Sequence, residues 1–367
     1  MVGTTETPER RSDSIGPAFS VRSTSVVGEP LLSSRATVPA REALPGLIGA
    51  WQGGSVMGVK PLDPQEIEAA LAAEEGWVWL HVDLVDQRMQ GWLSTRCALP
   101  PAARALLEGH EDGLILGHEA EMAHGVVADM QHDLERETAI VGRLHFAVCD
   151  RLLVTGRRHP LEGVDTVRRS FADGFSPATA YELFEAIVTS FCRNTSRKLT
   201  AAGRRLDAVE DRIVTERLSD ERRSLKEVRR LAVSLHRPVA GMVALFEDDE
   251  CEGWALSEAG HAVFRQLSAR LERLDREIVM VNDRARLLQE EMAAELADES
   301  NRSLKAMAVM SALLLPGTLV VGIFGMNTAG LPFTHGDAGF FWAMFVGIAA
   351  TVLFYWLLRR AGVSMRF

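Results

Sequence analysis

The spacing of apolar residues along this chain changes character at about residues 43, 176 and 304. Up to residue 42, Ser, Thr, Arg and Pro dominate and large apolar residues are few. Such a composition cannot bury enough apolar surface to offset the entropy of ordering, so residues 1–42 are predicted to be a disordered tail. From 43 to 175, short apolar runs alternate with turn signals. Leu47–Trp51, Trp77–Leu84, Gly113–Leu116, Gly125–Met130, Ile140–Val148 and Leu152–Val154 read as strands. Asp63–Glu74, opened by Asp63-Pro64, and Pro101–Leu107 read as helices. This part predicts an α/β domain.

Beyond residue 176 the period lengthens to that of a helix. Tyr181–Glu216 and Leu218–Phe246 carry it, and Pro238 is predicted to kink or interrupt the second of these. An acidic turn, FEDDECEGW (246–254), follows. Then Phe264, Leu267, Leu271, Leu274, Ile278, Val281, Ala285, Leu288 and Met292 recur in steps of three and four. That is an a/d seam without Pro or Gly, and it runs straight into an apolar segment at about residue 304. One very long helix is expected, packed as a stalk at its start and ending as a membrane span.

Leu304–Phe324 holds a single charge, Lys305, and Phe340–Leu358 holds none. Each is long enough for a hydrocarbon core of about 30 Å. Arg302 and Lys305 precede the first span, Arg359, Arg360 and Arg366 follow the second, and the connection 327–339 has no Lys or Arg. The positive-inside bias places both termini in the cytoplasm and the connection outside. Trp342, Tyr355 and Trp356 stand near the span ends, where interfacial aromatics belong. The expected fold class is α+β: a cytosolic α/β domain (43–175), a stalk of long helices (176–303) and a two-helix transmembrane domain (304–367).

Composition changes this picture little. The apolar fraction of 47% and the charged fraction of 25% are ordinary for a globular chain, and those averages conceal that charge lies almost wholly before residue 303. A formal net charge of −10 argues against a nucleic-acid partner. It suits a protein that gathers cations, and equally a plain solvated domain. Cys97, Cys149, Cys192 and Cys251 are far apart, which speaks against a thiolate zinc site or a disulfide framework and for a cytosolic bulk. No signal-peptide pattern opens the chain. No nucleophile–base pair, phosphate loop or cofactor motif is visible, so neither an enzyme nor a bound cofactor is expected.

The candidate chemistry lies in GIFGMNTAGLPF (322–333), where an apolar helix ends in an amide and small residues instead of charge. One hairpin of helices cannot enclose a polar path, so it either packs passively or assembles around an axis. Stepping back from Asn327 by three or four residues gives Ile323, Leu319 or Thr318, Leu315, Ser311, Met307 and Leu304. This row fits a pore lining with polar steps at Thr318 and Ser311 and apolar constrictions at Leu315 and Met307. Helix-on-helix packing through small polar residues is the other reading. An amide such as that of Asn327 can hydrogen-bond the water shell of an ion without stripping it, whereas a carboxylate would hold the ion more tightly. Gly325 and Gly330 are expected to let the backbone turn tightly there, although Asn and Gly also serve as plain helix C-caps.

Other clusters read as less specific. His110, His118, His124 and His132 match no standard zinc spacing and are expected to be solvated loop and strand-edge residues. Glu290, Glu291, Glu295, Asp298 and Glu299 precede the first span and would either draw cations to its inner end or simply be hydrated. Arg222-Arg223, Arg229-Arg230 and His236-Arg237 are expected to form salt bridges to this acidic stalk.

At Gly325-Met326-Asn327 the chain resembles the CorA superfamily of divalent-cation transporters, which carry this tripeptide at the outer end of the first of two spans. The resemblance covers roughly residues 45–367. GVKPL (58–62), WVWLHVDL (77–84), LLLPGTLVVGIFGMN (313–327) and GLPF (330–333) look most like its ZntB zinc-transport branch. Thr328-Ala329-Gly330 follows the tripeptide where the magnesium branch has acidic residues, while Met326 is the magnesium-type residue. The resemblance implies a funnel-shaped homopentamer in the cell inner membrane, with the first spans lining the pore. It also implies Gly325, Met326 and Asn327 as selectivity filter and Asn327 contacting a hydrated ion. Asp337 is the one carboxylate of the outer loop and a further candidate contact. The implied partners are further copies of the chain, membrane lipid and the transported cation. That cation is zinc, moved inward with protons, or magnesium or cobalt in a channel of the same fold. A membrane-anchored coiled-coil scaffold is the alternative of another class, and it leaves the tripeptide unexplained.

Overall fold

A computed structural model describes residues 44–55, 58–109, 113–131, 140–213, 218–247, 253–326 and 339–360. The tail 1–42 and the outer connection, with Asn327 and Asp337, lie outside the described residues.

Seven strands form one mixed sheet: β1 (Leu47–Gly53), β2 (Lys60–Pro61), β3 (Trp77–Asp83), β4 (Ile115–Glu119), β5 (Met122–Met130), β6 (Val141–Val148) and β7 (Leu152–Arg157). Their order is β2-β1-β3-β7-β6-β5-β4, and only the β3–β7 pair is parallel. The six predicted strands are all present; the one expected at Gly113–Leu116 begins at Ile115 and runs on to Glu119, and the two-residue β2 went unforeseen.

Strand β3 shows how the sequence builds both faces. Alternate residues of WVWLHVD point to opposite sides of a sheet. Trp77 and Trp79 enter one core, and Val78, Leu80 and Val82 enter the other. The aliphatic face is covered by α1 (Ile67–Ala72), α2 (Gln87–Arg96) and α3 (Pro101–Glu108), through Ile67, Met89, Leu93, Ala103 and Leu107. The helix expected over Asp63–Glu74 is a 3-10 turn, Pro64–Glu66, that passes into α1, and Asp63 and Glu66 close a capping box at its start. Helix α2 has too few apolar positions to announce itself and went unforeseen.

The aromatic face is covered by α4 (Glu162–Ser170), α5 (Ala180–Ile213), α6 (Leu218–Phe246) and α7 (Glu258–Gly325). One hydrophobic cluster joins strand residues such as Trp79 and Phe146 to Phe184, Val239, Phe264 and Ile278 of the long helices. A second, Ala202, Leu206, Leu225, Val228, Ala285, Leu288 and Met292, continues the packing down the stalk. Eight of the nine expected seam residues of α7 are buried and Val281 is partly buried. Helix α6 is continuous: Pro238 lies inside it and does not interrupt it. Only one intrahelical bond is lost there, and Leu235, Val239 and Met242 bury the flanking turns.

Asp129 of β5 fixes α4. Its buried carboxylate accepts hydrogen bonds from the backbone N–H of Met130 (2.7 Å), Gly163 (3.1 Å) and Val164 (3.3 Å), filling the open N-terminus of α4 from a distant strand. A Cβ on Gly163 would stand 2.6 Å from an Asp129 oxygen. Gly163→Ala is therefore expected to lower stability by about 1–3 kcal/mol, read by thermal unfolding of the full chain in detergent. Burial pushes the Asp129 carboxyl up from 3.8 to about 7, against the three backbone donors and with help from Glu162. Between those values the folded chain keeps a proton that the unfolded chain has released, so this group's contribution falls as pH rises through that window. Asp129→Asn should flatten that part of the stability profile; an unchanged slope would mean that the carboxyl is already ionised there.

Candidate ion pathway along the membrane helices

Helix α7 has 68 residues, which at 1.5 Å per residue is about 100 Å. Ser257 caps its start by accepting from Gly260 N–H at 3.2 Å and donating to Asp150 Oδ1 at 2.6 Å. It runs parallel to α5: Ser196 bonds Glu277 (3.0 Å) and Arg284 bridges Asp207 (2.7 Å) and Glu210 (2.5 Å). Beyond Leu296 its apolar packing against the stalk ends, and the helix continues into the apolar segment that α8 (Gly339–Arg360) accompanies.

Both helices are long and apolar enough to cross a membrane, and almost none of either apolar segment is buried within the chain. They approach through small residues. A Cβ on Gly317 would lie 3.7 Å from Thr351 Oγ1, and one on Gly347 would lie 3.9 Å from Val320. These two contacts run in opposite directions along the two helices, so α8 is antiparallel to α7. Arg302 and Lys305 therefore share an end with Arg359 and Arg360. The Arg360 guanidinium lies 5.3 Å above the Trp356 ring.

The half-covered positions of the first span are Ala306, Val309, Ala312, Leu313, Pro316, Gly317, Val320 and Phe324, the side turned to α8. The expected pathway residues Leu304, Met307, Ser311, Leu315, Thr318 and Ile323 are all exposed. With 3.6 residues per turn, the first five form one row on the side opposite α8. Gly322 completes that row, and Ile323 stands about a quarter turn aside. Thr318 donates its hydroxyl proton to the Leu315 carbonyl at 3.0 Å. What it turns outward is thus an acceptor oxygen, suited to a cation or to the protons of its water shell.

Gly325 is the last residue of α7 and Met326 its C-cap, with right-handed backbone (φ −74, ψ −1) and an N–H to the Ile323 carbonyl at 3.4 Å. The tight turn expected at Gly325 is not there: helical hydrogen bonding reaches that residue, and its lack of a side chain leaves open space around it. Asn327 is the next residue, outside the described ones.

Below the span, Glu290, Glu291, Glu295, Asp298 and Glu299 are exposed, and Glu290 pairs with Arg286 at 3.0 Å. The basic residues of α6 meet the acidic stalk in part. Arg223 pairs with Glu227 of its own helix, Arg229 bonds Gln289 at 3.2 Å, and His236 lies 3.6 Å from Asp275. His118 stacks on Trp254, and burial lowers the pKa of His124. His110, His132 and Cys251 fall outside the described residues, among which no group of three metal-ligating side chains converges.

The family described as CorA-like Mg2+ transporter protein matches residues 74–360. The chain belongs to the CorA family. Among its relatives, the divalent cation transporter CmaX of Pseudomonas aeruginosa is 25% identical over 297 residues, covering 77% of this chain and 86% of that protein. The zinc transport protein ZntB of Pectobacterium atrosepticum is 21% identical over 317 residues, covering 86% and 95%. Full-length CmaX superposes with a TM-score of 0.72 at 23% identity, over 86% of this chain and 97% of that one. The CorA magnesium transporter of Methanocaldococcus jannaschii gives 0.69 at 14% identity, over 86% and 99%. The CorA-family fold of α/β domain, long helices and two C-terminal candidate spans thus covers 86% of this chain.

Within this CorA-family hairpin, Gly317→Leu should force α7 and α8 apart and cost about 1–3 kcal/mol, seen as a lower Tm in detergent. Thr318→Val, one residue on but facing away from α8, should leave Tm nearly unchanged.

Proposed function

We propose that this protein carries divalent cations across the cell inner membrane, through a pore that several copies build from the exposed row of α7. The observation that carries the reading is that row. Leu304, Met307, Ser311, Leu315 and Thr318 are turned away from α8 and lead up to Gly325-Met326, in a chain whose family is one of metal-ion transporters. A lone hairpin would leave Ser311 and Thr318 facing lipid. Copies assembled around an axis, five by the resemblance of this sequence to its superfamily, would turn them to water. Basic residues at the shared end of the two helices support cytoplasmic termini.

Ions entering this path would meet the Asn327 amides outside, the Thr318 and Ser311 oxygens within, and apolar collars at Leu315 and Met307 between them. Such collars conduct only when wetted, so they suit gating. The carboxylates from Glu290 to Glu299 would raise the local cation concentration at the inner end. Zinc is the proposed cargo. Thr328-Ala329-Gly330 after the tripeptide and the likeness to ZntB favour it, while the likeness to the archaeal magnesium transporter keeps magnesium as the second reading.

Proteoliposomes holding the full chain test both. Zinc uptake that rises with an inward proton gradient and falls at least about tenfold in Asn327→Ala is the expected result. Magnesium uptake indifferent to the gradient would assign the cargo to magnesium. No flux of either ion would remove the transport reading and leave a membrane-anchored scaffold.

A further inference from the structure

A cleft of about 430 Å3 lies between α4 and α5, and Arg270 of α7 reaches into it. Arg270 is about 50 Å along α7 from Leu304, so the cleft is separate from the candidate ion pathway. Its volume is within the range of small-molecule sites. Val167, Ala186 and Phe175 give it apolar wall, and the exposed Phe175 ring stacks on Phe171 at 6.2 Å.

Most polar groups around the cleft already have partners. Glu182 accepts from the Ala178 N–H at 2.6 Å. Glu185 lies 3.5 Å from Arg270, which also donates to the Thr189 hydroxyl. Thr166 and Ser170 donate to the carbonyls of Glu162 (2.8 Å) and Val167 (2.7 Å). Two lining groups are left over. Arg193 is exposed and makes no ion pair among the described residues. Ser190 is 4% exposed, and its hydroxyl has no hydrogen-bond partner among the described residues. Burying a hydroxyl without a partner is unfavourable, so something that accepts from it would be bound gainfully.

Arg193 and Ser190 are three residues apart on α5 and therefore neighbours on one helix face. A guanidinium only donates, and a hydroxyl can donate, so the pair suits one acceptor of negative charge. Glu182 and Glu185 line the same cleft and would repel a second negative charge, which favours a carboxylate over a phosphate dianion. The apolar wall beside them calls for a hydrocarbon body.

We propose that this cleft binds a compact apolar monocarboxylate, its carboxylate at Arg193 and Ser190 and its body against Val167, Ala186 and Phe175. Nothing in the transport reading requires this site, and its test does not involve flux.

Isothermal titration of the full chain in detergent would compare phenylacetate, phenylacetamide and phenethylamine, three probes of one size that differ in charge. Saturable binding of phenylacetate, tighter than that of the other two, is expected. Arg193→Gln should weaken it about tenfold, the effect of losing one charge-assisted hydrogen bond, and Arg193→Lys less, since the charge stays. Arg193 is exposed, so Tm should hardly change. Phe175→Ala should weaken all three probes a few-fold by removing apolar wall. Absence of saturable phenylacetate binding, phenylacetamide or phenethylamine binding as tightly, or a phenylacetate affinity untouched by both Arg193→Gln and Phe175→Ala would overturn the proposal.

Discussion

One helix that belongs to two solvents sets the terms for this structure. The first half of α7 is a strand of the hydrophobic core: Phe264, Leu267, Leu271, Leu274 and Ile278 are buried among α5, α6 and the back of the sheet. Each such side chain contributes about 1.5–3 kcal/mol by leaving water, so the seam fixes the helix along its axis and about it. The second half has no such partner. Its orientation is inherited from the seam through continuous helical hydrogen bonding, and α8 then covers one side of it. One continuous helix thus joins the core to the span, and Pro316 is the one residue inside it that removes a backbone donor.

That inheritance gives the membrane segment distinct faces. Small residues, Gly317 and Gly347 above all, let α8 sit close on one side. The opposite row carries the few polar groups, and Thr318 satisfies its own donor on Leu315, which leaves oxygen outward. Charge follows the same axis. An acidic belt ends just below the span, and basic residues collect at the boundary, where Arg360 rests on Trp356. A divalent cation and a lipid surface would each find a complementary zone at a different height along one helix.

The α/β domain is tied to the stalk by polar contacts as well as by packing. Trp77 reaches the Pro177 carbonyl (2.8 Å), and Ser257 reaches Asp150. The aromatic face of the sheet and the upper stalk share one hydrophobic core.

Periodicity was enough to read six of the seven strands, the stalk helices, the nine-residue seam and both spans, because each is a local repeat whose apolar side must be buried somewhere. Asn327 and its neighbours stood out for a similar reason: an apolar helix ending without charge is legible from order alone. The rest depended on contacts between distant residues. Asp129 and Gly163 are 34 residues apart, and neither announces that one caps the helix of the other. Pro238 reads as a break, yet the burial of Leu235, Val239 and Met242 keeps its helix whole. Gly322 replaces Ile323 on the outer row only because α7 stays helical to Gly325. Local order sets which elements form; which side chains face one another follows from how the sheet and the long helices pack.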